Sequence, residues 1–412
     1  MLSPEATDGP AAATPAQPAD SSGARWRRLP RSPLLWWLCT RLVLVGVALA
    51  GAGGATDEVH ALYPKWAAEL AHGHFPLHDS QWQYPPVAGL VFLAPRALPF
   101  LPYASAFALL MLGCDAAVAA LLHRASRGPG RSSHGLWLWV LGLPLLLQLP
   151  YIRFDVAVTA LAVGAVLLLD RRPAAAGTLA ALGALIKAWP VLALIGAPRG
   201  RATRRSWVSA ALSAAVAAGA VALAFRHALG FLGEQGARGL EIESLPGSLL
   251  LVARRLGYRG TVGYRYGSFQ IGGPHVHGLA TAVLLLTVAG FGWLLWWRLR
   301  ARVWHPATAA DAALTAMLVF VTTSRVISPQ YLVWLLGLGA VCLAFRDSSQ
   351  RRTALALLPV TALTTLVYPV LWLPLLHGGA LAELVLLLRN TALLALTLHS
   401  ARALHRSTSA PD

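Results

Sequence analysis

The stretch "LLWWLCTRLVLVGVALAGAGGATDEVHALYPKW", residues 34–66, carries a long apolar run and then two adjacent carboxylates, Asp57 and Glu58. About 20 predominantly apolar residues cross a hydrocarbon core, so 34–54 reads as a first membrane helix with acids where it emerges. Beyond them Val59, Leu62, Tyr63, Trp66 and Leu70 recur at i, i+3, i+4, i+7 and i+11, one apolar stripe on a helix. Asp57, Lys65 and Glu69 fall off that stripe. The segment 57–71 is therefore expected to be an amphipathic helix at the interface, its aromatic face against lipid or the bundle. Asp57 has two readings. Thr56 is a good N-cap, and acids in a first turn suit the helix dipole. Alternatively, a carboxylate at the interface serves as general base for a hydroxyl group, and Glu58 raises its proton affinity by like-charge repulsion.

The rest of the chain repeats the opening pattern. Of 412 residues 56% are hydrophobic and 12% charged, against about 25% charged in soluble domains. The fold class is an all-α polytopic membrane protein. The net charge of +17 sits in short arginine clusters between apolar runs, as the positive-inside rule requires. No soluble basic domain remains to bind nucleic acid, which excludes that class. Cys39, Cys114 and Cys342 lie far apart in apolar segments, with neither metal-ligand spacing nor a disulfide framework.

Candidate spans are 34–54, 102–122, 135–150, 155–170, 207–226, 276–299, 307–323, 329–345, 353–374 and 380–401. Two further segments, 85–99 and 174–197, are broken by prolines or by "IKAWP". The basic clusters at 25–31, 124–131, 171–172, 199–205, 298–302, 346–352 and 402–406 are assigned to the cytoplasm. That assignment requires 85–99 to be interfacial or re-entrant, covered by protein. By the same parity 174–197 crosses twice as short helices or dips in and returns. The expectation is 10 or 12 spans with both termini inside. The domains are a disordered cytoplasmic tail over 1–33, one transmembrane domain over 34–402 and a cytoplasmic tail over 403–412. Residues 34–55 faintly resemble a signal peptide, but the long preceding tail and the many later spans favour an uncleaved anchor. Two sizeable external loops remain, 55–101 and 227–275, with short external turns "PYIRFD" (150–155) and "SRVISPQY" (324–331). Chemistry is expected on that outer face.

Lys187 is a lone ammonium in an apolar run; such a charge marks a functional site unless it snorkels to an interface. Arg325 at the outer end of a span is placed to hold an anionic headgroup or to meet lipid phosphates. Arg153 and Asp155 are expected to pair with each other. Arg254, Arg255, Arg259 and Arg265 run against the positive-inside trend, so the second loop is expected to meet something anionic. His72, His74 and His78 read as polar loop residues rather than a metal site. Asp115, Asp311, Glu383 and Arg389 are expected to make interhelical polar contacts.

The order "TDEVHALYPKWAAELAHGHFPLHDSQWQYPP", a broken apolar segment, "AAGTLAALGALIKAWPVL" and "SRVISPQYLVWLL" resembles the polytopic GT-C glycosyltransferases. More narrowly it is similar to glycosyltransferase family 87, the actinobacterial polyprenyl-phosphate-mannose-dependent α-mannosyltransferases, over about 34–400. The resemblance implies Asp57 as catalytic base in a single inverting displacement on a lipid-phosphate sugar. The acceptor would be a hydroxyl of a cell-envelope glycolipid or lipoglycan, at the outer face of the plasma membrane. Lys187 and Arg325, with Arg265 behind them, would stabilise the leaving phosphate. Glu58, Lys65, Tyr84 and Gln330 join them as substrate- or phosphate-binding candidates. No metal or cofactor is implied; the lipid-linked sugar phosphate is a co-substrate. Some relatives carry a histidine near the late "SP" motif, where this chain has Gln330 and Tyr331. The family also includes arabinofuranosyl transfer. A competing reading is a secondary transporter or flippase for lipid-linked sugars, with Lys187 and Asp115 lining a midplane path.

Overall fold

A computed structural model describes residues 32–50, 58–76, 79, 81–82, 84–225 and 239–409. Asp57 and His78 lie outside the described residues, as do residues 1–31 of the expected tail over 1–33. Helix α1 (Pro33–Leu49) packs on α4 (Tyr103–Ala125) and α5 (His134–Gly142). In the middle of this apolar contact Arg41 is only 1% exposed. Its Nε donates to Asp115 Oδ2 at 2.8 Å, and its guanidinium also reaches the Val140 carbonyl at 2.8 Å. Trp37, Trp139 and Tyr151 donate to the same carboxylate at 3.1, 2.6 and 2.6 Å. Charges inside a bilayer persist only when paired and hydrogen-bonded. The interhelical contact expected of Asp115 is there, with a partner, Arg41, that hydropathy alone hid.

The first loop descends into the bundle. A π-helical turn, Glu58–Leu62, runs into α2 (Tyr63–Ala71). Val59, Tyr63, Trp66 and Leu70 of the stripe are buried, and Leu62 packs against them. Tyr63 meets Phe92 and Phe107 at 4.7 and 5.5 Å between ring centres, so the aromatic face is turned to the bundle rather than to lipid. The broken segment becomes α3 (Ala88–Leu93) and a 3-10 turn, Ala94–Ala97. At six and four residues these are too short to cross.

After α6 (Leu149–Ile152) and α7 (Asp155–Leu168) comes α8 (Pro173–Ile186), 14 residues or about 21 Å long. At Lys187 the backbone turns extended, and a six-residue 3-10 helix, Trp189–Leu194, returns over about 12 Å. Residues 174–197 therefore run in and back as a hairpin with its tip at Lys187. Two glycines make the hairpin possible. A Cβ on Gly177 would stand 2.0 Å from the Ser206 carbonyl oxygen of α9 (Arg201–Ala224), and one on Gly183 would stand 2.8 Å from Pro190 Cβ.

The second loop adds a small sheet to the helical bundle. Strands β1 (Leu240–Glu241), β2 (Thr261–Arg265) and β3 (Ser268–Gly272) form an antiparallel sheet in the order β1-β3-β2. Arg265 pairs with Ser268 across the two-residue turn Tyr266–Gly267, both residues at positive φ, +50° and +73°. That is the hairpin geometry whose twist suits short antiparallel strands. The helix α10 (Leu245–Arg254) is capped by Ser244, whose hydroxyl accepts from the Gly247 N–H at 3.1 Å.

The remaining helices are α11 (Val276–Arg300), α12 (Thr308–Thr322), α13 (Tyr331–Leu343), α14 (Arg351–Thr365), α15 (Trp372–Leu376) and α16 (Ala380–Thr408). Helices α12 and α13 are almost wholly buried, whereas α9 and α11 present Leu212, Val216, Leu223 and Leu285 outward. Broad outward apolar faces mark a lipid-facing surface. Among the described residues five helices are long and apolar enough to cross a membrane; the other expected spans are shorter apolar helices. Residues 403–408, expected in a tail, continue α16, and Thr408 accepts from Trp297 Nε1 at 2.9 Å. Among the described residues basic clusters gather at one end: Arg346 Nε donates to the Arg131 carbonyl, and Arg199 to those of Arg298 and Leu299.

Candidate active site

At the opposite end, a cavity of about 640 Å³ lies between the first loop, the tip of the α8 hairpin and the second loop. The turn between α6 and α7 supplies Arg153, whose guanidinium is ion-paired with Glu58. Glu58 also accepts from the Tyr63 hydroxyl at 3.1 Å. The expected Arg153–Asp155 pair is corrected here: Arg153 precedes α7 and turns to the first loop, whereas Asp155 opens α7 and turns to Lys187. Lys187 is not a lone ammonium, nor does it snorkel. Its Nζ lies 2.7 Å from Asp155 Oδ1, and that carboxylate also accepts from Trp334 Nε1 at 2.8 Å. Trp334, Phe154, Tyr331 and Tyr84 surround the ammonium with ring centres 4.7, 5.1, 5.5 and 5.9 Å away.

The other wall is acidic and aromatic. Glu241 and Glu243 line the cavity from the second loop. The Ile327 N–H donates to Glu241 Oε2 at 2.7 Å. Arg389 of α16 donates to the Glu243 carboxylate at 3.3 Å and to its carbonyl at 3.0 Å. Burial pushes the Glu243 carboxyl well above the usual carboxylate range, against the opposing pull of Arg389. The β2–β3 hairpin brings Tyr264 and Tyr266, and the kinked end of α14 brings Tyr368.

Of the residues singled out in the sequence, Glu58, Tyr84, Lys187 and Gln330 line the cavity. Lys65 does not; it is exposed and bound to Asp79 at 3.1 Å. Arg265 and Arg325 are not among the lining residues. Arg265 is exposed on β2, and the Arg325 carbonyl accepts the Glu241 N–H at 3.0 Å. Successive side chains of a strand point to opposite faces, so Tyr264 lines the cavity and Arg265 does not, and beyond Arg325 the lining is made by Ser328, Pro329 and Gln330. Asp115 is fully buried among its four partners and does not share a lining with Lys187. Asp311 is bound by Ser348 and Ser349, and Glu383 by Arg255 at 2.5 Å. Sequence reasoning missed Glu241 and Glu243. Their spacing on either side of Ile242, in a segment of β pattern, was the available sign that both side chains share a face.

Such a cavity can do definite chemistry. Two cations suit a phosphate, aromatic rings suit the C–H faces of a sugar, and carboxylates accept from hydroxyl groups. Comparison with known proteins bears on the same region. The model of glycosyltransferase family 87 matches residues 82–329, more than half of the chain. A crystal structure of ArnT from Cupriavidus metallidurans bound to undecaprenyl phosphate aligns over 90% of this chain and 77% of that one, at 14% identity and a TM-score of 0.47. A comparison with curated proteins finds no match. The chain, a polytopic helical membrane protein, belongs to glycosyltransferase family 87.

Proposed function

We propose that this glycosyltransferase takes a hexose, in the first place mannose, from a polyprenyl-phosphate donor. The acceptor is a hydroxyl of a cell-envelope glycolipid or lipoglycan, at the outer face of the plasma membrane. The observation that carries this reading is the cavity itself, set at the end of the bundle opposite the basic clusters. There Lys187 and Arg153 stand beside carboxylates and an aromatic wall. A lipid-linked donor cannot leave the bilayer, so its phosphate must meet cations at the interface. Asp57, the residue before Glu58, takes the acceptor's hydroxyl proton; the oxygen forms its bond to the anomeric carbon as the bond from that carbon to the phosphate oxygen breaks. Polyprenyl phosphate departs with both electrons of the broken bond, with inversion, and Lys187 and Arg153 offset its developing charge. Arg153 takes the part expected of Arg325 and Arg265. The reading needs one general base, in contrast to the carboxylate pairs of glycoside hydrolysis.

Purified protein in lipid vesicles is offered radiolabelled mannose on polyprenyl phosphate or on a nucleoside diphosphate, and arabinofuranose on polyprenyl phosphate, with a cell-envelope lipid extract. The expected result is label transfer from polyprenyl-phosphate mannose alone. Transfer from the nucleotide sugar would overturn the donor class, and transfer from the arabinofuranosyl lipid in its place would overturn the sugar.

A further inference from the structure

Lys187 and Trp334 line the cavity, and Asp155 does not. The carboxylate is 2% exposed and the ammonium 16%, so what the pair shows outward is its lysine. A lysine has a four-carbon flexible stem and three rotatable donors, and holding it in one geometry costs side-chain entropy. Three features remove that freedom here. The backbone at Lys187 leaves α8 in an extended conformation, φ −157° and ψ 111°, which aims the side chain away from the helix. Four rings at 4.7–5.9 Å fill its flanks. Asp155 takes one ammonium N–H at 2.7 Å and is itself fixed by Trp334 Nε1 and by the positive end of α7.

We infer that Asp155 is a positioning residue that holds the Lys187 ammonium at the phosphate of the lipid-linked donor, with the Trp334 N–H setting the carboxylate. The inference rests on the reading of Lys187 as a phosphate-facing group. Asp155 touches no substrate; it acts through Lys187. Its hydrogen-bonded contact on the cavity side is Lys187, so its removal weakens donor use chiefly through Lys187, and a variant that already lacks the lysine has little left to lose.

The test is a double-mutant cycle on the full-length protein in vesicles, with polyprenyl-phosphate mannose as donor and thermal unfolding followed in parallel. Lys187→Ala is expected to lower kcat/KM for the donor about 100-fold. Asp155→Asn should raise the donor KM about tenfold, and the double variant should match Lys187→Ala within about twofold. An effect of Asp155→Asn that persists in full in the Lys187→Ala background would make Asp155 merely structural and overturn the inference, while the phosphate role of Lys187 stands. Undiminished transfer by Lys187→Ala would sink that role and the inference with it. If Asp155→Asn does not fold, Trp334→Phe keeps an aromatic face, though a smaller one, and deletes the N–H. A donor KM raised about threefold at an unchanged unfolding midpoint supports the inference, and an unchanged KM contradicts it.

Discussion

Arg153 and Glu58 are 95 positions apart in the chain and face each other in the cavity. Replacing Arg153 with alanine leaves Glu58 with the Tyr63 hydroxyl but without its counter-charge. The account expects transfer at saturating donor to fall about 100-fold, the scale of losing one stabilising donor at a developing charge. Arg153→Lys should recover part of it, since an ammonium keeps the charge and loses the fork geometry. A second residue-scale prediction concerns Asp79. Burial raises its pKa, yet hydrogen bonds from the Gln81 N–H, Trp66 and Lys65 outweigh that and hold the carboxyl below its ordinary value. A depressed acid stabilises the fold above its unfolded pKa, about 4, and that contribution is lost as pH falls through the folded value. The wild-type unfolding midpoint should therefore drop more steeply below about pH 4 than that of Asp79→Asn. Identical acid limbs would contradict it. The Arg153–Glu58 pairing was not legible in the sequence, because it joins segments 95 positions apart. Asp155 is two residues from Arg153, and nothing local says that they part company.

Element boundaries followed the apolar runs well, because a run's length and its flanking prolines and charges are local properties. The hairpin at 174–197 was legible as an anomaly, since "IKAWP" breaks the run. Its in-and-back path depended on glycines whose neighbours are other helices. Gly177→Ala and Gly183→Ala should each destabilise by about 1–3 kcal/mol in thermal unfolding, as overpacked contacts do. Gly113 has nothing within 4 Å of its would-be Cβ, so Gly113→Ala should be neutral or gain about 0.5–1 kcal/mol. Equal effects at all three positions would mean that the close approach of α8 to α9 is not a constraint. The small sheet was missed for a different reason. "TVGYRYGSFQIG" contains a two-residue turn without Asn-Gly or Asp-Gly, and its strands are too short to declare a period.

At the scale of the whole molecule, charge patterning read the architecture better than it read the site. Among the described residues basic clusters meet in pairs at one end of the bundle, 199–205 with 298–302 and 124–131 with 346–352, and the cavity occupies the other. Residue 127 should face the cytoplasm and residue 259 the exterior. In a cysteine-free background, Arg259→Cys should react with an impermeant thiol reagent on intact cells, and Arg127→Cys only after permeabilisation. The reverse pattern would turn the protein over and put the cavity on the wrong side for the proposed acceptor. The measurement closest to the central claim is the rate of mannose transfer from polyprenyl phosphate by wild type and by Asp57→Ala, both in vesicles and both shown folded. A general base contributes about 10²- to 10⁴-fold, so the account predicts at least a 100-fold loss in the variant. Undiminished transfer by Asp57→Ala would contradict it.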